Sequence, residues 1–234
     1  IQNNVISKAY YGIYAQATAS GRNDNLVITQ NNIGSNTAAD YITFRGLLVS
    51  QADGAGISQN TVFNIENLTT NLRGMEFGAG FINSTVNRNL IYNINNSTST
   101  FSAAKGMSFN PGARLGSLNI NNNVIYGLNG NGSSTATNNS WGIMLESGAN
   151  YNIYYNSVNL SDNRFTTSST DLHGCMYVAA AVTGIDLRNN VFSATALAGN
   201  VAGKTYGIYC LAPNTAFTTI DYNDFYAPGT TNRF

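Results

Sequence analysis

The amino-acid sequence predicts an all-β fold, a right-handed parallel β-helix solenoid of about seven to eight coils with an asparagine ladder. Two interleaved repeats and an almost uncharged composition lead to this prediction. One repeat is centred on asparagine and the other on glycine, and together they run through nearly all of the 234 residues. Repeats of about 20 to 50 residues are typical of stacked architectures, in which each unit buries its apolar face only against its neighbours.

The asparagine repeat has the form apolar, two variable residues, Asn, one variable residue, apolar, as in INNNVI at 120–125. Its asparagines follow one another at intervals of 27, 29, 29, 34, 33, 34 and 33 residues. We expect them to stack in one corner, since Asn tolerates a left-handed backbone and its amide can satisfy the polar groups of a bend. Replacing Asn123 by Ala should therefore destabilise the fold by roughly 1–3 kcal/mol. The predicted ladder consists of Asn4, Asn31, Asn60, Asn89, Asn123, Asn156, Asn190 and Asn223.

The glycine repeat has the form Gly-apolar-x-apolar and predicts a second corner at which a Cβ is not tolerated. The apolar residues of both repeats alternate as in short strands, and no stretch suits an amphipathic helix. Seven glycines begin this repeat: Gly12, Gly46, Gly74, Gly106, Gly142, Gly174 and Gly207. The side chains expected to face the interior include Ile28, Ile33, Met75, Phe77, Ile143, Leu145, Leu187 and Phe192.

The asparagine repeat resembles the parallel β-helix repeats of pectate-lyase-like proteins, and the resemblance covers essentially the whole chain. Enzymes of this architecture that cleave polysaccharides use clustered acidic residues. Here the acids are scattered, and Glu76 is expected to pair with neighbouring cations rather than to act as a general acid. Asp186 and Asp221 are the only suggestion of a carboxylate pair.

The residue before each glycine forms a column that we expect on the surface, stacked coil upon coil. Its aromatic and basic side chains suggest a groove for an extended glycan, with ring faces packing on sugars and cations meeting carboxylates. The alternative is a surface ladder in which like residues stack on like. Insertions such as 34–41 and 129–140 belong to one flank, which in solenoids is often the binding flank. The column contains Tyr11, Arg45, Arg73, Lys105, Trp141, His173 and Tyr206.

Composition limits the other classes of function. The net charge is zero and only 9% of residues are charged, so nothing attracts nucleic acid or an anionic membrane. The longest apolar run, 175–182, is too short to span a bilayer. No zinc-ligand spacing, phosphate loop or nucleophile elbow occurs; we therefore predict no catalytic residue, no metal and no cofactor.

The two cysteines are predicted to be free, buried thiols on adjacent coils. Cys175 lies one residue after its glycine and Cys210 lies three after the next, so both should point inward. Their Cα atoms should be about 8 Å apart, beyond the limit of about 7 Å for a disulfide.

Residues 1–234 are expected to form a single domain, part of a longer solenoid without its caps. Ile1 and Asn4 already stand in the asparagine repeat, and no amphipathic segment follows the last coil. Bare coil edges recruit other chains. We therefore expect self-association or poor solubility of these residues alone, which analytical ultracentrifugation would show.

The predicted function is non-enzymatic: a secreted or bacterial cell-surface solenoid that serves as stalk, adhesin or glycan-binding scaffold. The expected partners are a polysaccharide or another cell-surface component, and flanking coils or further copies at the open ends. A polysaccharide lyase or glycoside hydrolase is the first alternative, and it requires two surface carboxylates within catalytic reach or a bound calcium. An extracellular filament is the second, and it requires an uncovered coil edge paired with a neighbouring copy.

Overall fold

The computed structural model shows an all-β parallel solenoid, with 60% of residues in strands and 4% in helices. Parallel pairing joins every strand to its neighbours one coil before or after it. The structure describes residues 1–68, 71–96, 103–113, 115–133, 135–161, 172–195 and 204–228.

Twenty-five strands and three short 3₁₀ helices make up the described chain. The strands of the first half are β1 (Val5–Ile6), β2 (Tyr11–Gln16), β3 (Asn23–Asp24), β4 (Val27–Thr29), β5 (Asn32–Ile33), β6 (Arg45–Ser50), β7 (Ala52–Asp53), β8 (Gly56–Ser58), β9 (Thr61–Asn67), β10 (Leu72–Phe77), β11 (Phe81–Ile82), β12 (Thr85–Asn87) and β13 (Leu90–Asn96). Those of the second half are β14 (Ala104–Phe109), β15 (Gly116–Asn121), β16 (Val124–Asn129), β17 (Trp141–Leu145), β18 (Ala149–Tyr154), β19 (Ser157–Leu160), β20 (Leu172–Val178), β21 (Thr183–Arg188), β22 (Val191–Ala194), β23 (Lys204–Cys210), β24 (Phe217–Asp221) and β25 (Asp224–Tyr226). The 3₁₀ helices are Ala38–Asp40, Ala136–Asn138 and Asn214–Ala216.

Three long parallel sheets enclose the core, and a short fourth sheet completes the first coils. We call the sheet that follows each ladder asparagine the ladder sheet; its order is β1-β5-β9-β13-β16-β19-β22-β25. The glycine sheet, which carries the glycine repeat, has the order β2-β6-β10-β14-β17-β20-β23. The third sheet has the order β4-β8-β12-β15-β18-β21-β24, and the short sheet is β3-β7-β11.

The path makes about six turns, slightly fewer than the seven to eight predicted. The interior is a continuous apolar column with contributions from all three long sheets. The eight apolar side chains named above as facing the interior are all fully buried, from Ile28 in β4 to Phe192 in β22.

The asparagine ladder is present and unbroken. Each ladder residue donates its backbone N–H and its Nδ2 to the Oδ1 of the ladder residue one coil later, from Asn4 to Asn223, at 2.8 to 3.1 Å. The second hydrogen of Nδ2 also has an acceptor: Asn123 donates it to the Val86 carbonyl, which lies one coil earlier, at 2.9 Å. The six inner members are buried, so the ladder satisfies polar groups that would otherwise be costly to bury.

The left-handed residue at this corner is not the ladder asparagine but the residue before it. At Asn122, for example, φ is 55°, whereas Asn123 adopts an ordinary backbone. The conformational reason given for the ladder positions is therefore wrong, and Asn occupies them for its amide. The left-handed positions accept several residue types: Asn3, Gln30, Gln59, Arg88, Asn122, Tyr155, Asn189 and Tyr222.

The glycine repeat lies inside strands and not at a corner, contrary to prediction. Its glycines have no positive φ and are required for packing. A Cβ on Gly106 would lie 2.5 Å from the Gly142 carbonyl oxygen and 2.6 Å from Ile125 Cγ2 on the ladder sheet. The predicted intolerance of a Cβ is thus correct, but the cause is the close approach of the next strand in the same sheet and of the ladder sheet.

Replacing Gly106 by Ala is expected to lower the free energy of unfolding by about 1–3 kcal/mol, since the methyl group meets backbone that cannot rotate away. Gly56→Ala is the matched control, because a Cβ there has no atom within 4 Å, and it should be neutral or slightly stabilising. Urea denaturation followed by circular dichroism measures both. Equal effects of the two substitutions would contradict the packing explanation.

Both cysteines are free, as predicted, but only Cys175 is buried. Cys210 is exposed in β23, the edge strand of the glycine sheet. It pairs with the inward-facing Val178 and lines a cavity of about 300 Å³ with Ile208 and Phe217. The direction of the Cys210 side chain was thus predicted correctly, whereas its burial was not.

Iodoacetamide should alkylate Cys210 in the folded protein and leave Cys175 unmodified. Burial raises the pKa of the Cys175 thiol far above its usual range and raises that of Cys210 less severely, and the thiolate is the reactive form. Unfolding without reductant should make both thiols reactive, as mass spectrometry would show. A protein with no reactive thiol after unfolding would refute this expectation.

Candidate functional site

The column predicted as a glycan groove lies on the outer side of the glycine sheet, but it is largely covered. Tyr11, Arg45, Arg73 and Lys105 are in register on successive coils. Arg45, Lys105 and Trp141 are buried, and Lys105 has only 2% of its surface exposed. The expectation that this column stands on the surface is therefore wrong for these residues, while Tyr11, Arg73 and Tyr206 are half-buried.

His173 does not belong to the column. The register pairs Gly174 with Trp141 and with Tyr206, and it pairs His173 with Thr205. In β20 the glycine of the repeat, Gly174, therefore occupies the position that the residue before the glycine occupies in the neighbouring strands. His173 is fully buried, and its Nδ1 accepts the backbone N–H of Ser140 at 3.1 Å.

An ion network occupies the middle of this outer face. Arg45 Nε donates to Glu76, and Arg73 Nη1 lies 2.9 Å from Glu76 Oε1 and 3.1 Å from Glu146 Oε1. Arg73 Nη1 also donates to Ser108 Oγ at 2.8 Å. The prediction that Glu76 is an ion-pair partner is confirmed, and the burial of the cations follows from this pairing.

The pKa of Lys105 is lowered to about 7, chiefly by burial and next by the nearby guanidinium of Arg73. The carboxylates of Glu146 and Glu76 oppose this shift, and Arg45 adds to it. Three basic groups thus share two carboxylates, and Lys105 is the one that loses its proton most readily.

The fold should therefore become more stable as the pH rises from about 7 to 9. Unfolded Lys105 keeps its proton up to about pH 10.4, whereas the folded chain releases it from about pH 7. The unfolded state then binds more protons, so the free energy of unfolding increases with pH, by at most about 1.4 kcal/mol per unit. Urea titrations at pH 6, 7, 8 and 9 measure this slope. Lys105→Met should flatten it, and an unchanged pH profile in that variant would contradict the assignment.

The suggested pair of Asp186 and Asp221 does not form. Asp186 pairs in register with Thr219, and Asp221 pairs with Arg188. Asp186 is bound by Arg188, whose Nε donates at 2.6 Å, and by the Tyr154 hydroxyl at 2.7 Å. The hydrogen bond from Arg188 holds the pKa of Asp186 below its usual value. This carboxylate is a structural ion-pair partner.

A polar groove on the outer side of the ladder sheet was not predicted. Its volume is about 470 Å³, within the range of about 300–1,000 Å³ usual for ligand sites. It crosses the ends of β9, β13 and β16, and Tyr41 from the 34–41 insertion forms one wall. The groove is lined by Tyr41, Asn64, Glu66, Asn93, Asn95, Gly127 and Asn129.

A left-handed residue in the middle of each strand creates the groove. Asn64, Asn93 and Gly127 have φ values of 49°, 54° and 63°. This conformation breaks the alternation of the strand, so that the residue before it and the second residue after it both face outward. The sequence carries this signal as FNIE (63–66), YNIN (92–95) and YGLN (126–129), a third repeat of aromatic, Asn or Gly, apolar and polar residues.

Three stacked rings stand beside the groove. Phe63 and Tyr92 have ring centroids 5.3 Å apart, and Tyr92 and Tyr126 have centroids 5.2 Å apart, with nearly parallel planes. The next coil places Asn159 opposite Tyr126, so the stack ends there and Tyr126 is 38% exposed. A shallow depression of about 150 Å³ continues past it over Ser157 and Ser193.

Comparison with protein-family models, with curated proteins and with solved structures finds no match to this chain. Among the described residues, no helix has the length and apolar character that a bilayer crossing requires. No group of three or more His, Cys, Asp or Glu side chains in the same part of the chain is arranged to hold a metal ion.

Proposed function

We propose that this chain is a non-enzymatic scaffold, secreted or displayed on a bacterial cell surface as part of a stalk or adhesin, and that it binds glycan in the polar groove of the ladder sheet. The observation that carries the proposal is the groove of about 470 Å³ beside the stack of Phe63, Tyr92 and Tyr126.

The chemistry of the groove suits a sugar. Asn64, Asn93, Asn95 and Asn129 present amides, which can both donate to and accept from hydroxyl groups. The exposed ring of Tyr126 offers an apolar face of the kind that packs on the C–H groups of a pyranose. The scaffold is rigid there, because the three strands of the groove are central in their sheet, and rigid elements hold binding groups in place.

A glycan array probed with the intact chain, followed by calorimetry with the best oligosaccharide, tests the proposal. Tyr126→Ala is expected to weaken binding about tenfold or more, by analogy with aromatic hot spots. Tyr14→Ala is the control, since Tyr14 is an exposed aromatic on the outer side of the glycine sheet. Absence of binding to any glycan would overturn the proposal. Loss of binding in Tyr14→Ala alone would move the site to the originally predicted column.

A polysaccharide-cleaving enzyme of the pectate-lyase-like type is the second candidate, and one observation favours it. Glu76 Oε1 and Glu146 Oε1 lie 2.9 Å and 3.1 Å from the same Arg73 nitrogen, so they are no more than 6.0 Å apart. Retaining glycosidases hold two carboxyl groups about 5–5.5 Å apart. Against it, guanidinium groups occupy both carboxylates.

Release of reducing ends from plant and bacterial polysaccharides distinguishes the two candidates. A scaffold should release none. An enzyme should lose its activity at least a hundredfold in Glu76→Gln and in Glu146→Gln, whereas Asp224→Asn, at an exposed acid of the last strand of the ladder sheet, should leave the rate unchanged.

A further inference from the structure

Three acceptor groups stand in one column along the floor of the groove. Glu66, Asn95 and Asn129 are in register on successive coils. Asn95 Oδ1 and Asn129 Oδ1 are buried and have no hydrogen-bond partner among the described residues. The carboxylate of Glu66 forms no ion pair with any residue in that part of the chain.

Two of the four amide donors that line the groove are already used by the chain. Asn64 Nδ2 donates to the Ser35 carbonyl at 2.8 Å, and Asn93 Nδ2 donates to Asn64 Oδ1 at 3.1 Å. Among the described residues, neither of these two donors reaches the amide oxygens of Asn95 and Asn129, which therefore keep unused acceptors. A buried amide oxygen without a donor is unfavourable, and a ligand rich in donors would offset that cost.

The spacing of the three groups excludes a single metal ion as the common ligand. Successive coils are about 4.7–4.9 Å apart, so the column spans close to 10 Å from Glu66 to Asn129. A calcium ion needs six to eight oxygens at about 2.3–2.6 Å, gathered around one point. A line of acceptors at the coil spacing instead suits a linear molecule whose donors recur along the solenoid axis.

The charge of the residues that line the groove indicates which class of ligand it can bind. Of the described residues that line the groove, Glu66 is the only charged one, and none is Lys or Arg. An ammonium group brings a positive charge and three donors to these acceptors, and the ring of Tyr41, which lines the groove, can face a cation as well. The net charge of the whole chain is zero, so any preference for cations must come from the groove.

From the unpaired acceptor column Glu66, Asn95 and Asn129 we infer that the groove selects glycans with free amino groups, that is, deacetylated amino-sugar polymers. This inference rests on the proposed function of the groove. Neither amide oxygen is open to solvent in the ligand-free chain. The terminal torsion of Asn is broad, and a turn about it brings the oxygen to the groove without a change in the backbone.

The test compares three hexasaccharides by calorimetry: glucosamine, N-acetylglucosamine and galacturonate. We expect the glucosamine hexamer to bind at least tenfold more tightly than the other two, since a hydrogen bond between an ammonium group and a carboxylate is stronger than one between neutral groups. Glu66→Gln, which keeps the shape, should remove that preference. Asn129→Asp, which adds a second charge to the column, should strengthen it.

Asp224→Asn is the control for bulk charge, since Asp224 is an exposed acid on the same sheet away from the groove. It should leave all three affinities unchanged. Equal binding of the glucosamine and N-acetylglucosamine hexamers would overturn the inference and leave the proposed function standing. Loss of the preference in Asp224→Asn would also overturn it. If no hexamer binds and the glycan array is blank, the proposed function itself fails.

Discussion

Replacing Trp141 by Ala is expected to lower the free energy of unfolding by about 3–5 kcal/mol, the usual cost of removing a buried Trp. The indole is fully buried and packs against Met144 and Tyr177. Its Nε1 donates to the Ala136 carbonyl at 2.8 Å. A Cβ on Gly174 would lie 2.6 Å from the ring, so the next coil is shaped to receive it.

Urea denaturation followed by circular dichroism measures this loss. Trp141→Phe should retain most of the packing and lose chiefly the hydrogen bond, at a cost of about 0.5–1.5 kcal/mol. Tyr226→Ala, at an exposed ring of the ladder sheet, should change stability by no more than about 0.5 kcal/mol. A Trp141→Ala protein of unchanged stability that no longer binds glycan would restore the sequence-based interpretation of the column as an open groove.

Replacing Asn123 by Ala should destabilise the fold by about 2–6 kcal/mol, more than the sequence alone indicated. The substitution removes the acceptor of both Asn89 N–H groups and the donor to Val86 and Asn156. At least two buried polar groups then lack a partner, and each costs about 1–3 kcal/mol. The remaining ladder cannot shift to compensate, because its register is fixed by the strands on both sides.

Fluorescence of Trp141, the only tryptophan, reports this unfolding in urea. Asn159→Ala is the matched control: Asn159 is an exposed asparagine of β19 in the same sheet, and its replacement should have little effect. If both variants lose the same small amount of stability, the ladder does not contribute as described.

The ladder could be predicted from sequence because one side-chain type recurs at one structural position. The left-handed residue beside it could not, since Asn, Gln, Arg and Tyr all occupy it. These side chains point to solvent, where packing does not select among them. The left-handed conformation therefore recurs in every coil although the residue type at that position varies.

The burial of Arg45 and Lys105 could not be predicted, because their carboxylate partners come from other coils. Glu76 belongs to the coil after Arg45, and Glu146 follows β17. Only the three-dimensional register brings them together. The error at His173 has a related cause: the strand register places Gly174 opposite Trp141, and an alignment of the repeat on glycine alone does not reveal this shift.

The polar groove could have been predicted from the sequence. The third repeat at 63–66, 92–95 and 126–129 combines an aromatic residue, a residue that tolerates a left-handed backbone and an outward polar residue. It went unrecognised because strict alternation was expected in each strand. The contribution of Tyr41 could not be foreseen, since nothing in the 34–41 insertion indicates on which sheet it lies.

The ladder bonds all run in one direction, and this gives the solenoid a polarity. In every coil the side facing the N-terminus presents an Asn Oδ1 acceptor, and the side facing the C-terminus presents N–H donors. Two such coils are complementary only head to tail. A two-fold axis perpendicular to the solenoid would set donor against donor or acceptor against acceptor, so any coil added to this ladder must be related to its neighbour by a heterologous, screw-like operation.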